Sequence, residues 1–177
     1  MPSRCFRTYH GNCVHPLSPN PGEIDIDDIA RSLSQQCRFL GHTEAIYSVA
    51  QHSVLVSEIV PREDALWGLL HDASEAYLGD LPAPIKREPE MSFYRVVEGR
   101  LMLAVCHKFG LPAEMPQSVM AADKIILATE FRDVTTVDNL DWIIRECGYA
   151  PLDLRITPWP PAVAEDRFLA RFRELAK

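Results

Sequence analysis

Apolar residues recur every three or four positions along most of the chain, which is the spacing of one face of an α-helix. One such stripe has four members: Ile46, Val49, Val56 and Ile59. A second stripe has three members: Val119, Ile126 and Leu127. Glycine and proline interrupt the pattern between the stripes. The predicted helices cover residues 25–39, 43–60, 62–78, 91–109, 117–132, 138–147 and 162–176.

Polar residues and helix breakers define the ends of these predicted helices. Asp25 or Asp27 suits the N-cap of the first helix and Thr43 that of the second, because their side-chain oxygens can accept hydrogen bonds from unpaired backbone N–H groups. Three residues are expected to end the first three helices: Gly41, Pro61 and Gly79.

The chain outside the helices carries a weaker signal. A turn sequence, Tyr9-His10-Gly11-Asn12, separates two short segments, 5–8 and 13–15, which favours a small hairpin. The prolines of 16–22 and 81–84 indicate connecting loops, and 151–157 favours a short extended segment. The whole pattern predicts an all-α helical bundle with a minor N-terminal β-hairpin.

Composition narrows the class of protein. The 177 residues are 47% hydrophobic, which is enough for one domain with a full core. A net charge of -7 disfavours binding to a nucleic-acid polymer. The chain has neither a membrane-length apolar run nor the apolar core of a signal peptide, so we expect a cytoplasmic protein without a membrane partner. The five scattered cysteines favour free thiols over a disulfide framework.

Polar residues on the apolar stripes supply the candidate chemistry. His52 follows Val49 by three positions, and Asp123 and Glu130 lie on the second stripe. An ionised Asp on a core face costs several kcal/mol unless it is paired or bound to a metal. A lone inward His is more often a hydrogen-bonded core residue. Here, however, three predicted helices each carry an inward His or Asp. His52 lies on the helix over 43–60, His71 and Asp72 lie on that over 62–78, and Asp123 lies on that over 117–132.

These residues predict a metal site with four ligands: His52, His71, Asp72 and Asp123. Glu75 is predicted on a face of the third helix that overlaps with those of His71 and Asp72. Two imidazoles and two carboxylates suit a divalent transition metal (Co, Mn, Zn, Fe or Ni) better than calcium. Such a metal lowers the pKa of bound water, which indicates hydrolysis.

A second group of metal-ligating types lies near the N-terminus: Cys5, His10, Cys13 and His15. Their spacing does not match the common zinc-finger patterns, and no second paired knuckle follows. A structural zinc is therefore disfavoured here by the sequence.

The chemistry-bearing residues resemble those of a known family. The order His52, His71-Asp72, Asp123, with His-Asp-Ala-Ser-Glu followed by Gly-Asp-Leu-Pro-Ala-Pro-Ile-Lys, is similar to the HD-domain phosphohydrolases. It most resembles the small 5′-deoxynucleotidase branch, which includes phage-encoded dATP triphosphohydrolases. The resemblance covers roughly residues 24–135. It implies one HD domain over 1–177, with an irregular segment 1–22, an HD core 24–135 and a C-terminal extension 136–177.

The resemblance also implies a role for each matching residue. The four metal ligands are the same as those above. Glu75, with Asp72, would take the catalytic role of orienting the attacking water or protonating the leaving oxygen. Asp80 would accept a hydrogen bond from a sugar hydroxyl, whereas Arg38 and Lys86 would contact phosphate.

Two further positions concern substrate choice. Phe39 stands where the family usually has Trp and would stack on the base or close the 2′ position. The segment from there to His52 also looks one residue shorter, which leaves base preference and strict selection of deoxy sugars open. His42 could contact a polyphosphate tail, although a capping or surface role is favoured.

The resemblance thus predicts metal-dependent cleavage of deoxynucleotides at the α-phosphorus, which releases the deoxynucleoside and either phosphate or triphosphate. The alternative is a non-catalytic nucleotide sensor on an HD scaffold. A cyclic-nucleotide phosphodiesterase is disfavoured, since it would need more metal-binding histidines. One divalent ion is expected, and a second one carried with the phosphates is left open. The resemblance further implies a homo-oligomer, in the host cytoplasm if the protein is phage-encoded.

Overall fold

The computed structural model describes residues 5–176. A two-stranded antiparallel sheet comes first, formed by β1 (Phe6–Arg7) and β2 (Cys13–Val14), with Phe6 opposite Val14 and Arg7 opposite Cys13. The predicted N-terminal hairpin is therefore confirmed. The remainder of the predicted irregular segment contains one 3-10 turn, Pro21–Glu23. Residues 1–4 of that segment lie outside the described residues.

Helices make up most of the described chain and confirm the all-α class. In chain order they are α1 (Ile26–Gln35), α2 (Val49–Ile59), α3 (Ala65–Leu70), α4 (Glu75–Leu78), α5 (Ala83–Lys86), α6 (Ser92–Phe109), α7 (Gln117–Val134), α8 (Leu140–Cys147) and α9 (Pro161–Leu175). Further 3-10 turns occur at Arg38–Gly41, Arg62–Asp64 and Pro89–Met91. Across residues 5–176, every helix is too short or too polar to cross a membrane.

The boundary between the first two helices differs from the prediction. Asp25 caps α1 as expected, but α1 ends at Gln35 and not near residue 39. Gln36 and Cys37 are then extended, Cys37 forms a β-bridge with Ser48, and the Arg38 N–H donates to the Tyr47 carbonyl. This pairing keeps residues 43–47 out of a helix.

As a result, the N-cap of α2 comes five residues later than predicted. Ser48 is its N-cap, and the Ser48 hydroxyl accepts from the Gln51 N–H. The Thr43 hydroxyl instead donates to the Ala45 carbonyl. Ile46 lies before the helix and is 58% exposed, so it does not belong to the buried stripe of Val49 and Val56. The prediction for Thr43 and Ile46 was wrong.

The predicted helix over residues 62–78 is broken into two. Helix α3 ends at Leu70, and residues 71–74 form a turn before α4 begins at Glu75. Within that turn the Ala73 N–H donates to the Leu70 carbonyl and the Glu75 N–H to the Asp72 carbonyl. His71 and Asp72 therefore do not lie inside one continuous helix with Glu75. Gly79, with a φ of 83°, ends α4 as predicted.

Two loop predictions also change. The proline-rich loop after Gly79 contains the short helix α5. The predicted extended segment 151–157 is irregular and is not assigned as a strand. The division of the chain into an HD core and a C-terminal extension stays a prediction.

Helix α2 is central to the packing and contacts α1, α3, α7 and α9. A Cβ added to Gly68 would lie 3.1 Å from the Cα of Ser57, which shows how closely α3 approaches α2. Buried side chains of α1, α2, α3, α6 and α9 share one hydrophobic cluster, in which Phe168 of α9 is fully buried. This packing brings the ends of α2 and α3 together.

The cysteines depart from the expectation of free thiols. Cys5 and Cys13 form a disulfide, with their Cα atoms 5.7 Å apart across the hairpin. The hairpin brings the two residues together, whereas their separation along the sequence does not by itself indicate a disulfide. The other three cysteines are free thiols, as predicted: Cys37, Cys106 and Cys147.

Candidate metal centre

Two buried histidines meet where α2 lies against α3. The Nε2 atoms of His52 and His71 are 3.2 Å apart. On the other side of each ring, His52 Nδ1 pairs with Glu130 Oε1 at 2.6 Å and His71 Nδ1 with the Gly68 carbonyl at 2.8 Å. With each Nδ1–H donating to its acceptor, both neutral rings point an Nε2 lone pair at the same position. That arrangement favours a cation between them.

Two carboxylates border the same position. Asp72 Oδ2 lies 3.2 Å from His71 Nε2 and 3.7 Å from His52 Nε2. Asp123 Oδ1 lies 3.2 Å from His52 Nε2. The ligand atoms of His52, His71 and Asp72 all lie within 4.8 Å of one another. Asp123 adjoins this group through its contact with His52. These four residues form a candidate metal centre, called the metal centre below, because their donor set would fit a divalent transition metal.

The electrostatics of the metal centre also favour positive charge. Burial lowers the pKa of His71, but the adjacent Asp72 carboxylate overcomes this and raises it to about 9. Burial conversely opposes ionisation of Asp72, yet the charge of His71 lowers the Asp72 pKa well below its ordinary value. A cation at the point where these atoms converge is therefore stabilised by its surroundings.

Glu130 of α7 is the residue behind His52, and no functional role was predicted for it. It is fully buried and accepts hydrogen bonds from three side chains: Arg38, Tyr47 and His52. Burial opposes its ionisation, but the charge of Arg38 and then that of His52 lower its pKa. The available signal was its spacing, because Glu130 lies seven residues after Asp123 on the same helix face.

Arg38, predicted as a phosphate contact, is held at the edge of the metal centre. Its Nε and Nη2 donate to Glu130 Oε2 at 3.1 and 2.9 Å, and its Nη1 lies 3.9 Å from Asp72 Oδ2. The guanidinium thus uses one edge for Glu130 and turns Nη1 towards the metal centre.

Phe39 lies on the same 3-10 turn as Arg38, and His42 follows the end of that turn. Phe39 and Leu40 adopt left-handed φ values of 54° and 52°, and the Phe39 ring packs against Phe131 with 5.3 Å between centroids. His42 is exposed, and its backbone N–H donates to the Phe39 carbonyl. Within residues 5–176, no contact joins the His42 imidazole to the metal centre.

Glu75 is buried at the start of α4. Its Oε1 lies 3.7 Å from Lys86 Nζ, and its Oε2 has no hydrogen-bond partner among the described residues. Burial, followed by the charges of Asp72 and Asp80, raises the Glu75 pKa to about 9. Glu75 is therefore a protonated acid near neutral pH, with one oxygen left to interact with a ligand.

The predicted sugar and phosphate contacts lie around Glu75. The Asp80 backbone N–H donates to Gln36 Oε1, and Gln36 Nε2 donates to the Glu75 carbonyl, so one side chain ties both ends of α4 together. Burial raises the pKa of Asp80. Lys86 Nζ donates to Glu98 Oε1 at 2.6 Å. The sequence did not single out Gln36, because its two partners lie about 40 residues away.

Sequence comparisons place the chain among known proteins. It is 41% identical to the uncharacterized protein YfdR of Escherichia coli (strain K12) over 172 residues, which are 97% of this chain and 96% of that protein. The chain belongs to the YfdR family. A second relative of this YfdR-family chain, an uncharacterized protein of Rhodobacter capsulatus, is 36% identical over 141 residues, 72% of this chain and 71% of that protein. No protein-family model matches the chain.

Proposed function

We propose that this member of the YfdR family is a metal-dependent phosphohydrolase of the HD type that cleaves deoxynucleotides at the α-phosphorus. The observation that carries the proposal is the convergence of the His52 and His71 Nε2 atoms, 3.2 Å apart, between two carboxylates. Glu75 adds a buried acid whose Oε2 has no hydrogen-bond partner among residues 5–176 and whose pKa responds to the charge of Asp72. The products would be the deoxynucleoside and either phosphate or triphosphate.

The metal centre would hold the ion through two imidazoles and two carboxylates. When bound, a divalent transition metal supplies Lewis acidity and lowers the pKa of water. Glu130 and the Gly68 carbonyl keep both Nε2 atoms available by engaging each Nδ1. These acceptors support the fit of the donor set, because they select the tautomer that a metal needs.

Glu75 would act on the protons of the reaction. In the metal-free chain, burial and then the charges of Asp72 and Asp80 raise its pKa to about 9, which favours the protonated form near neutral pH. Its Oε2 can hydrogen-bond an oxygen in the site and pass the proton to the leaving oxygen as the ester bond breaks. Gln36 holds Glu75 and Asp80 at a fixed separation, which keeps the acid in place relative to the substrate.

Five residues would contact the substrate: Arg38, Phe39, His42, Asp80 and Lys86. The Nη1 of Arg38 and the ammonium of Lys86 bring positive charge to the phosphate, and the Asp80 carboxylate accepts from a sugar hydroxyl. Phe39 borders the base, and the exposed His42 reaches only a longer phosphate tail. These assignments rest on the resemblance to the HD phosphohydrolases, as do a homo-oligomeric state and a cytoplasmic location.

The decisive experiment incubates the full chain with Co²⁺ or Mn²⁺ and a panel of deoxynucleoside mono- and triphosphates. Chromatographic separation of phosphate, pyrophosphate and triphosphate then names the bond that breaks. Glu75→Gln is expected to lower the rate by about a hundredfold or more, since general acid–base groups contribute on that scale. Glu63→Gln, at an exposed glutamate just before α3, is the matched control and should leave the rate unchanged.

The same panel of nucleotides and metals distinguishes the enzyme from the alternative, a non-catalytic nucleotide sensor. A nucleotide sensor would bind a deoxynucleotide in the presence of metal without releasing any phosphate product. Binding without turnover under every metal and substrate would overturn the enzymatic proposal and favour the sensor.

A further inference from the structure

A second cluster of metal-ligating side chains lies in the N-terminal hairpin, apart from the metal centre. The Cys5 and Cys13 sulfurs and one imidazole nitrogen of His15 all lie within 4.8 Å of one another. In the sequence His10 belongs to the same group of potential ligands. In the structure its Nδ1 pairs instead with Asp28 Oδ1 of α1 at 2.8 Å. Three potential ligands therefore remain together.

His15 is held by a carboxylate. Its Nδ1 lies 2.9 Å from Glu23 Oε1, and its backbone N–H donates to Glu23 Oε2 at 3.0 Å. With Nδ1 engaged in this way, Nε2 is the nitrogen left to bind a ligand. A carboxylate behind the imidazole is the arrangement that orients metal-bound histidines in proteins. Nothing in the proposed hydrolysis uses this pair.

A neighbouring group, His10 with Asp25 and Asp28, is already satisfied internally. Asp28 accepts hydrogen bonds from the His10 N–H and from Asn12 Nδ2, and Asp25 accepts from the Asp27 and Asp28 N–H groups as the cap of α1. The Asp28 carboxylate thereby holds the hairpin against α1. The group of Cys5, Cys13 and His15 is the better candidate for a metal once its disulfide is reduced.

We propose that the reduced protein binds Zn²⁺ through Cys5, Cys13 and His15, with water as the fourth ligand. Two thiolates and an imidazole are the donors that Zn²⁺ prefers, and three protein ligands with one water complete a tetrahedron. The ion would replace the disulfide as the link across the hairpin. The hairpin contacts α4 through Phe6, whose ring centroid lies 6.4 Å from that of Tyr77. It contacts α1 through the pairing of His10 with Asp28.

Electrons and protons balance in the conversion between the disulfide form and the reduced, Zn²⁺-bound form. A dithiol reductant gives two electrons and two protons to the Cys5–Cys13 disulfide and becomes a disulfide itself. Each new thiol then loses its proton to solvent as its sulfur binds Zn²⁺. Hydrogen peroxide reverses the change: it takes two electrons from the two thiolates and two protons from solvent, is reduced to two water molecules, and leaves the disulfide and free Zn²⁺.

The experiment titrates Co²⁺ into the full chain, reduced with a phosphine and kept free of air. Thiolate bound to Co²⁺ gives a charge-transfer band in the near ultraviolet that nitrogen and oxygen ligands do not give. The metal centre contains no sulfur, so its occupancy does not contribute to this band. We expect one equivalent of thiolate-bound Co²⁺, displaced by Zn²⁺ and absent from the disulfide form.

Variants assign the ligands. Cys13→Ser should abolish the band, and His15→Gln should remove most of it, whereas His10→Gln in the same hairpin should leave it intact. A reduced native protein without the band, or a band that survives Cys13→Ser, would overturn the proposal.

A measurement on the native chain keeps the test independent of how the variants fold. Zn²⁺ should protect Cys5 and Cys13, but not Cys37, from alkylation detected by mass spectrometry. Equal labelling of the hairpin cysteines with and without Zn²⁺ would also refute the site. Loss of hydrolysis in the separate activity assay would leave this result untouched.

Discussion

Glu75 is a buried acid whose native environment disfavours its charge. Its pKa lies near 9 in the folded chain against an ordinary value of 4.5. Between those two values the folded state keeps a proton that the unfolded state loses, so stability falls as pH rises through this window. The contribution of the protonated form is complete below 4.5 and is lost as the pH passes about 9.

Glu75→Gln should remove this dependence, because glutamine keeps the shape of the protonated acid and does not titrate. In chelator-treated protein, we expect the variant to gain stability relative to the native chain by up to about 1.4 kcal/mol per pH unit across the window. Urea unfolding at several pH values measures it. Parallel stability curves for the two proteins would contradict the raised pKa.

Glu130 should control metal affinity without touching the ion. It accepts from His52 Nδ1 and pairs with Arg38, so Glu130→Gln loosens the ring orientation and removes the nearer of the two carboxylates that face the Arg38 guanidinium. Residues of this kind typically change metal affinity by about 10–100-fold. Calorimetric titration with Mn²⁺ should show that loss, and Glu146→Gln, at an exposed site on α8, should show none.

At this scale the sequence predicted which residues meet, but not what holds them. His52 and Asp123 were recognisable as polar residues on apolar stripes; His52 is fully buried as that spacing predicts, whereas the Asp123 side chain is 40% exposed. The roles of Glu130 and Gln36 depend on partners from other elements, up to about 90 residues away along the chain. No local pattern contains that information.

Among the elements, helix type was predictable and helix ends were less so. Thr43 and Ser48 are both acceptable N-caps, and the Cys37–Ser48 bridge decides in favour of Ser48. Likewise residues 69–78 contain no glycine or proline, yet the helix breaks after Leu70. This break places His71 and Asp72 in a turn, from which both side chains reach the same position.

The 3-10 turn at Arg38–Gly41 contains measurable backbone strain. Leu40 has a φ of 52° and is 61% exposed, so it adopts a left-handed conformation with little packing in return. Because that conformation costs an L-residue roughly 1–2 kcal/mol, Leu40→Gly is expected to stabilise the protein by up to about 1 kcal/mol. Thermal melting should show an increase of about 2–4 °C for a chain of this size.

Leu103→Gly is the matched control for that prediction. Leu103 is an exposed leucine inside α6, where glycine lowers helix stability by about 1 kcal/mol. The two substitutions should therefore shift the melting temperature in opposite directions. A decrease for both would mean that the backbone at Leu40 is not strained.

At the scale of the whole molecule, the residues of the candidate metal centre come from helices that pack against one another: α2, α3 and α7. Helix α2 contacts α3 and α7, and α9 closes the same cluster from the far end of the chain. The amphipathic pattern predicted each of these helices, but not their mutual arrangement. The Cys5–Cys13 pair was missed for a related reason, since only the hairpin fold brings the two sulfurs together.

Because its four ligands come from α2, α7 and the end of α3, a bound ion should stabilise the entire fold. Binding to the native state alone contributes about 2.7 kcal/mol at a hundredfold excess over the dissociation constant. For a chain of this length that corresponds to an increase of about 5–10 °C in melting temperature. Mn²⁺ under non-reducing conditions is the suitable probe, because the hairpin cysteines are then in the disulfide. The increase should disappear in His52→Gln and persist in His107→Gln, an exposed histidine of α6. If Mn²⁺ shifted both variants equally, the ion would be bound elsewhere, and the metal centre would lose its physical basis.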